Sequence, residues 1–146
     1  MRYPLPLLIS AILLLCSTTL HAGYTDNGNG SIADTSTGLM WQKEDDNSTR
    51  TWEAALSYCE ALSLGSQTDW RLPNVRELAS IVDAATHSPA INSTYFPNTN
   101  SSGYWSSSSN AYDSSYAWYV HFSYGDVGYY FKSNTSSYVR CVRGGL

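Results

Sequence analysis

The feature that most limits what this chain can fold into is a pair of cysteines, Cys59 and Cys141, 82 positions apart. The third cysteine, Cys16, lies in a segment that reads as a cleaved export signal. Arg2 is followed by an apolar run from Leu5 to Leu15, then Ser17-Thr18-Thr19 leads to Leu20-His21-Ala22. Cleavage after Ala22 is expected, giving a signal peptide over 1–22 and one domain over 23–146. The apolar run is too short to span a bilayer, which takes about 20 apolar residues. Acylation at Cys16, the lipoprotein alternative, asks for a small preceding residue, and Leu15 is not small. In an oxidising compartment, secreted, periplasmic or cell-surface, the two remaining cysteines should pair. Their bridge would tie the front third of the domain to its end, worth about 4.5 kcal/mol on the chain-entropy estimate. A metal or thiol-redox role is weaker: there is no CxxC, and only His87 and His121 remain after cleavage.

Loss of Arg2 leaves seven Lys and Arg against twelve Asp and Glu, a net charge of −5. No basic stripe is available to neutralise phosphates, which argues against nucleic acid and against anionic membrane surfaces as partners. A chain of this length builds one core.

Along the mature chain, Asn27-Gly28-Asn29-Gly30 is a tight-turn signal, because Asn and Gly tolerate positive φ. With the stretch to Asp34, a turn over 35–38 and Leu39-Met40-Trp41, it predicts a small hairpin. Asp26, Asn27 and Asn29 lack the alternating ligands and distant acidic residue of a calcium loop, so they are read as turn residues. Glu44-Asp45-Asp46-Asn47 is read as a solvated loop. Thr51 caps a helix to about Leu62, with Trp52, Ala55, Leu56, Cys59 and Leu62 on one face. Asn74 and Glu77 form a capping pair for a second helix ending near Asp83, with Val75, Leu78, Ile81 and Val82 inward. A Pro- and Asn-containing loop over 87–102 precedes four short strands, expected over 103–107, 117–123, 127–132 and 137–143. In the second strand Trp118, Val120 and Phe122 are assigned the buried face. Helices grouped between strands make the class α+β.

Several motifs together carry a family resemblance. They are Asp26-Asn27-Gly28 through Thr37-Gly38-Leu39-Met40-Trp41-Gln42, Trp52 and Ala55 with Tyr58-Cys59, and Asp69-Trp70-Arg71-Leu72-Pro73 with Glu77-Leu78. Tyr104-Trp105-Ser106-Ser107 and Val139-Arg140-Cys141-Val142-Arg143 complete the set. In this order, over nearly the whole mature chain, they resemble the C-terminal domain of the Legionella collagen-like protein (Lcl) family. The resemblance implies a C-type lectin-like fold, two helices packed on a twisted antiparallel sheet, in which a helix cysteine bonded to a late strand is a familiar brace. It also implies surface adhesion. The chain has no Gly-X-Y collagen repeat, so a trimerising stalk does not carry over.

Residues 101–138 hold 12 Ser and 8 Tyr. Tyr offers large rigid amphipathic contact area and Ser small adaptable hydrogen-bonding groups, the mixture used in antibody paratopes. Any single Tyr is equally well read as solvent-facing on a twisted sheet. For the segment as a whole a ligand-binding surface is expected, on Tyr112, Asp113, Tyr116, Tyr119, His121, Tyr124, Tyr129 and Tyr130. Most of the five tryptophans are assigned to core or hinge packing, with Trp118 on the buried face, and Arg71 to a structural role. Arg140 and Arg143 are assigned to pairs with acidic residues of the first hairpin. Neither Glu-Pro-Asn, Gln-Pro-Asp nor Trp-Asn-Asp occurs, so sugar binding is expected to be calcium-independent. No catalytic order of Ser, His and Asp is recognisable. The expectation is a non-catalytic module with no cofactor or metal, recognising a glycan or a surface protein. The alternative is an accessory subunit of an exported envelope or pilus assembly.

Overall fold

The structure is a computed structural model and describes residues 23–145. The expected signal peptide lies outside the described residues. Strands β1 (Tyr24–Asp26), β2 (Ser31–Asp34) and β3 (Leu39–Gln42) are followed by helices α1 (Trp52–Ala61) and α2 (Val75–Ser80). Strands β4 (Gly103–Ser109), β5 (Tyr116–His121), β6 (Asp126–Phe131) and β7 (Val142–Arg143) complete the chain. The class is α+β, with two antiparallel sheets in place of one: β1-β2-β3-β7 and β4-β5-β6.

Local chemistry explains the first elements. The hairpin is part of a meander, because Asp26, Asn27 and Asn29 spend their side chains on its opening turn. Asp26 Oδ1 accepts the Gly28 N–H, Asn29 Oδ1 accepts from the Ser31 N–H and hydroxyl, and Asn27 donates to the Ser31 Oγ. Thr51 Oγ1 accepts the Ala54 N–H to start α1, which buries Ala55 and Cys59. Asn74 and Glu77 close a capping box at α2. That helix stops at Ser80 rather than Asp83, since the Val82 N–H turns back to the carbonyl of Ala79.

Residues paired across an antiparallel ladder share a face. Tyr104 pairs with Val120 and belongs, with Phe122, to a core that includes Ile32, Trp41, Leu78 and Phe96. On the other face Trp105 and Ala117 pack with Ala55, Trp70, Val139 and the two cysteines. The β4 strand is therefore covered on both sides, while β6, at the far edge, is exposed on both.

Cys59 and Cys141 form the disulfide, with Cα atoms 5.5 Å apart, joining α1 to the segment before β7. The expected last strand over 137–143 is largely a crossing segment. Tyr138 bridges to Tyr104 of one sheet, and Val142 pairs with Trp41 of the other and bridges to Arg71. Between them the Cys141 N–H is taken by the Gln42 side-chain Oε1 at 3.0 Å, so part of the ladder is replaced by a side chain.

Two sequence expectations are corrected. Asp45 is not in a solvated loop; only 7% of it is exposed. It accepts from the Tyr104 hydroxyl at 2.5 Å and faces the fully buried Arg140 guanidinium at 3.5 Å. Neither Arg140 nor Arg143 takes an acidic residue of the first hairpin: Arg140 takes Asp45, and Arg143 takes Asp69 at 2.7 Å. A charge run hides its one buried member because residue type alone does not show which carboxylate meets a late-chain arginine.

Arg71 is structural, clamping Glu77 with both terminal nitrogens at 2.8 Å and donating to the Gly144 carbonyl. Burial alone would raise the Glu77 carboxyl, but the bonds from Arg71 and from the Asn74 N–H outweigh it and hold the pKa low. The Arg50 hydrogen bond likewise holds Asp46 low. A depressed folded pKa contributes stability above the unfolded value of about 4, lost as pH falls through the folded value. Thermal melts are expected to be flat from pH 7 to 5 and to drop below about pH 4. Glu77→Gln should flatten that acid limb, and an unchanged limb would contradict the assignment.

Candidate functional site

The β5–β6 register decides which side chains meet. Trp118 lies opposite Tyr129 and Tyr116 opposite Phe131, all on one face. The Tyr129 ring stands almost perpendicular to its neighbours, 5.5 Å from Tyr116 and 5.4 Å from Trp118 between centroids. Tyr116 also packs at 4.1 Å on Phe131. Beside this row the β4–β5 loop is fixed by two side-chain turns. Asn110 Oδ1 accepts the Tyr112 N–H at 2.8 Å and Asp113 Oδ1 accepts the Ser115 N–H at 2.9 Å. The loop is closed by the Asn110 N–H on the Tyr116 carbonyl. It holds the Tyr112 ring entirely in solvent. Asn110, Tyr112, Asp113, Tyr116, Trp118 and Tyr129 together line an open cleft of about 420 Å³.

The opposite face carries a smaller cleft of about 230 Å³, between Tyr119, His121, Tyr130 and the serines 102, 136 and 137. Here Tyr119 lies across Gly128, where a Cβ would come within 3.0 Å of the ring. His121 Nδ1 accepts weakly from the Ser123 N–H at 3.4 Å. Tyr124 is apart from both clefts, in the β5–β6 turn, stacked on His87 at 5.8 Å. Gly125 makes that turn with φ +84°, its Cα facing Val82 too closely for any side chain.

The eight expected residues therefore do not form one site. Tyr112, Asp113, Tyr116 and Tyr129 come together; Tyr119, His121 and Tyr130 lie through the sheet from them; Tyr124 joins neither. Trp118 and Asn110 belong to the larger cleft and were not anticipated. The alternation that placed Trp118 in the core holds for Val120 and Phe122, both fully buried. It fails at Trp118, which is half-buried, belongs to neither core and packs instead against Tyr129. Tyr116, itself a candidate and two positions away, shares a face with Trp118 by period two and was the available signal.

Chemically the larger cleft offers ring faces and edges beside one carboxylate and one amide. That set suits a ligand with an apolar face and a rim of hydroxyls. Burial and the hydrogen-bonding partners of the hairpin and helices are spent on the scaffold, whereas these side chains are not needed to close either core.

Among the described residues no helix is long and apolar enough to cross a membrane. No curated protein matches the chain. The family model of the Lcl C-terminal domain matches residues 30–143, from the end of the first turn to the last strand, and so takes in both cores, the disulfide and the larger cleft. By that match the chain belongs to the Lcl C-terminal domain family.

Proposed function

We propose that the protein is an exported, non-catalytic adhesion-type module that binds a sugar residue in the cleft of Tyr112, Asp113, Tyr116, Trp118 and Tyr129. The observation that carries this reading is four aromatic rings gathered around one carboxylate and one amide on an open surface. Rings stack on the apolar face of a pyranose, while Asn110 and Asp113 bond its hydroxyls. Family membership supports export and adhesion. Asp113 and the acidic mature chain favour a neutral glycan over a sulfated one, since like charges in a cleft oppose binding. Calcium has no part in this reading.

The test is a glycan array probed with the exported protein in chelator, repeated with Tyr116→Ala, Trp118→Ala and Tyr129→Ala. Loss of a stacked ring removes about 0.5–1.5 kcal/mol, so each variant should weaken binding about two- to tenfold. Signals confined to sulfated glycans, or binding that survives all three changes, would contradict the proposal. No glycan signal, with a co-purifying envelope protein, would favour the accessory-subunit reading instead.

A further inference from the structure

The edge strand β6 lacks a proline and an interior charge, two of the devices that normally protect a free edge. Its sequence, Asp126-Val127-Gly128-Tyr129-Tyr130-Phe131, contains no proline, no lysine and a charge only at its start. Val127, Tyr129, Tyr130 and Phe131 are each 45–54% exposed. Its backbone is directed outward at fixed positions. The Lys132 N–H bonds the Ser115 carbonyl at 2.9 Å, which fixes the phase of the ladder. Alternation along an antiparallel ladder then turns Gly128 and Tyr130 toward β5, and the N–H groups of Val127, Tyr129 and Phe131 away from it.

From this we infer that β6 pairs with β6 of a second copy of this chain, antiparallel, about a two-fold axis through Tyr129. The strand is self-complementary in that register. Val127 meets Phe131 of the other copy, Tyr129 meets Tyr129, and Gly128 meets Tyr130. At both ends Asp126 comes opposite Lys132, supplying opposite charges where like ones would repel. The Lys132 ammonium now rests 4.0 Å over the Trp52 ring and 2.8 Å from the Ser109 hydroxyl, and turns outward to make that pair. Registers centred on Gly128 or Tyr130 also match outward groups but lose the charge pairing. The Phe131 carbonyl already accepts from Asn134 and takes the new bond on its second lone pair.

The product is a continuous six-stranded sheet, β4-β5-β6 running into its symmetry mate. Side chains opposite each other share a face, so both Tyr129 rings and both larger clefts open on the same side. A pair of clefts joined this way gives avidity without a collagen stalk. An edge contact of this length is at or below the low end of specific interfaces, about 1,200 Å², so a micromolar dimer is expected.

The experiment needs no ligand and is independent of the sugar proposal. Protein purified after export would be followed by analytical ultracentrifugation across the micromolar range. A concentration-dependent dimer is expected, and Asp126→Lys should weaken it at least tenfold by placing lysines opposite each other. Tyr129→Cys tests the register: its symmetry mate would lie at about 5.5 Å between Cα atoms, within disulfide reach. Mild oxidation should link Tyr129→Cys into dimers and leave the more accessible Tyr112→Cys unlinked. A monomer throughout, a dimer indifferent to Asp126→Lys, or equal cross-linking of both cysteine variants would overturn the proposal.

Discussion

Replacing Cys59 and Cys141 together by alanine is expected to lower the melting temperature by about 18 °C. The bridge closes a loop across 82 positions of sequence, and removing such a constraint from the unfolded chain costs about 4.5 kcal/mol of stability. For a domain of this size that corresponds to roughly 4 °C per kcal/mol. The effect has a packing component as well. Both cysteines are fully buried among Ala55, Trp70, Leu72, Trp105 and Val139, where the bridge joins α1 to the crossing segment. Alanine isolates loss of the bridge, whereas serine would also bury hydroxyls. Calorimetry of the oxidised protein and the double variant is the check. Equal melting temperatures, or two free thiols in the oxidised protein, would remove the bridge from the account.

Asp45→Ala is expected to be nearly as damaging, at about 3–5 kcal/mol, because it strands a buried cation. Arg140 is fully buried, and burial pushes its guanidinium below the ordinary arginine value. Its donors reach the carbonyls of Gln42 and Lys43 and the Thr99 hydroxyl, while Asp45 is its carboxylate partner. Asp45 also takes the Tyr104 hydroxyl, so the loop over 44–47, the 96–100 segment, β4 and the crossing segment meet at one point. Adding Arg140→Met should recover part of the loss, since the unpaired charge disappears while the two carbonyls remain without their donor. Urea unfolding with an unchanged slope measures both effects. A cost under about 1 kcal/mol for Asp45→Ala would mean that the guanidinium is compensated elsewhere.

The helices were legible because their signals are local. Thr51, Asn74 and Glu77 cap within three residues, and Ala55 and Cys59 lie one turn apart. The cysteine pairing needed only the compartment and a count. The two-sheet arrangement was harder, since Ser137–Arg143 alternates like a strand but serves both sheets in passing. Asp45 and Arg140 are 95 residues apart, and nothing local distinguishes Asp45 from Asp46, which stays exposed and takes Arg50. At the candidate site, composition located the right region. It did not separate the two faces of β5 and β6, because period-two alternation assigns Tyr116 and Tyr119 to opposite sides without saying which side holds the core. Both sides do at β4, and neither does at β6.

The most direct test of binding in the larger cleft is an amide-resolved NMR titration with the strongest neutral glycan from the array. Shift changes are predicted to cluster at residues 110–118 and 129–131 and to vanish in Tyr116→Ala and Trp118→Ala. Changes centred instead on Gly103, Tyr119, His121 and Ser136, or unaltered binding by those variants, would contradict it.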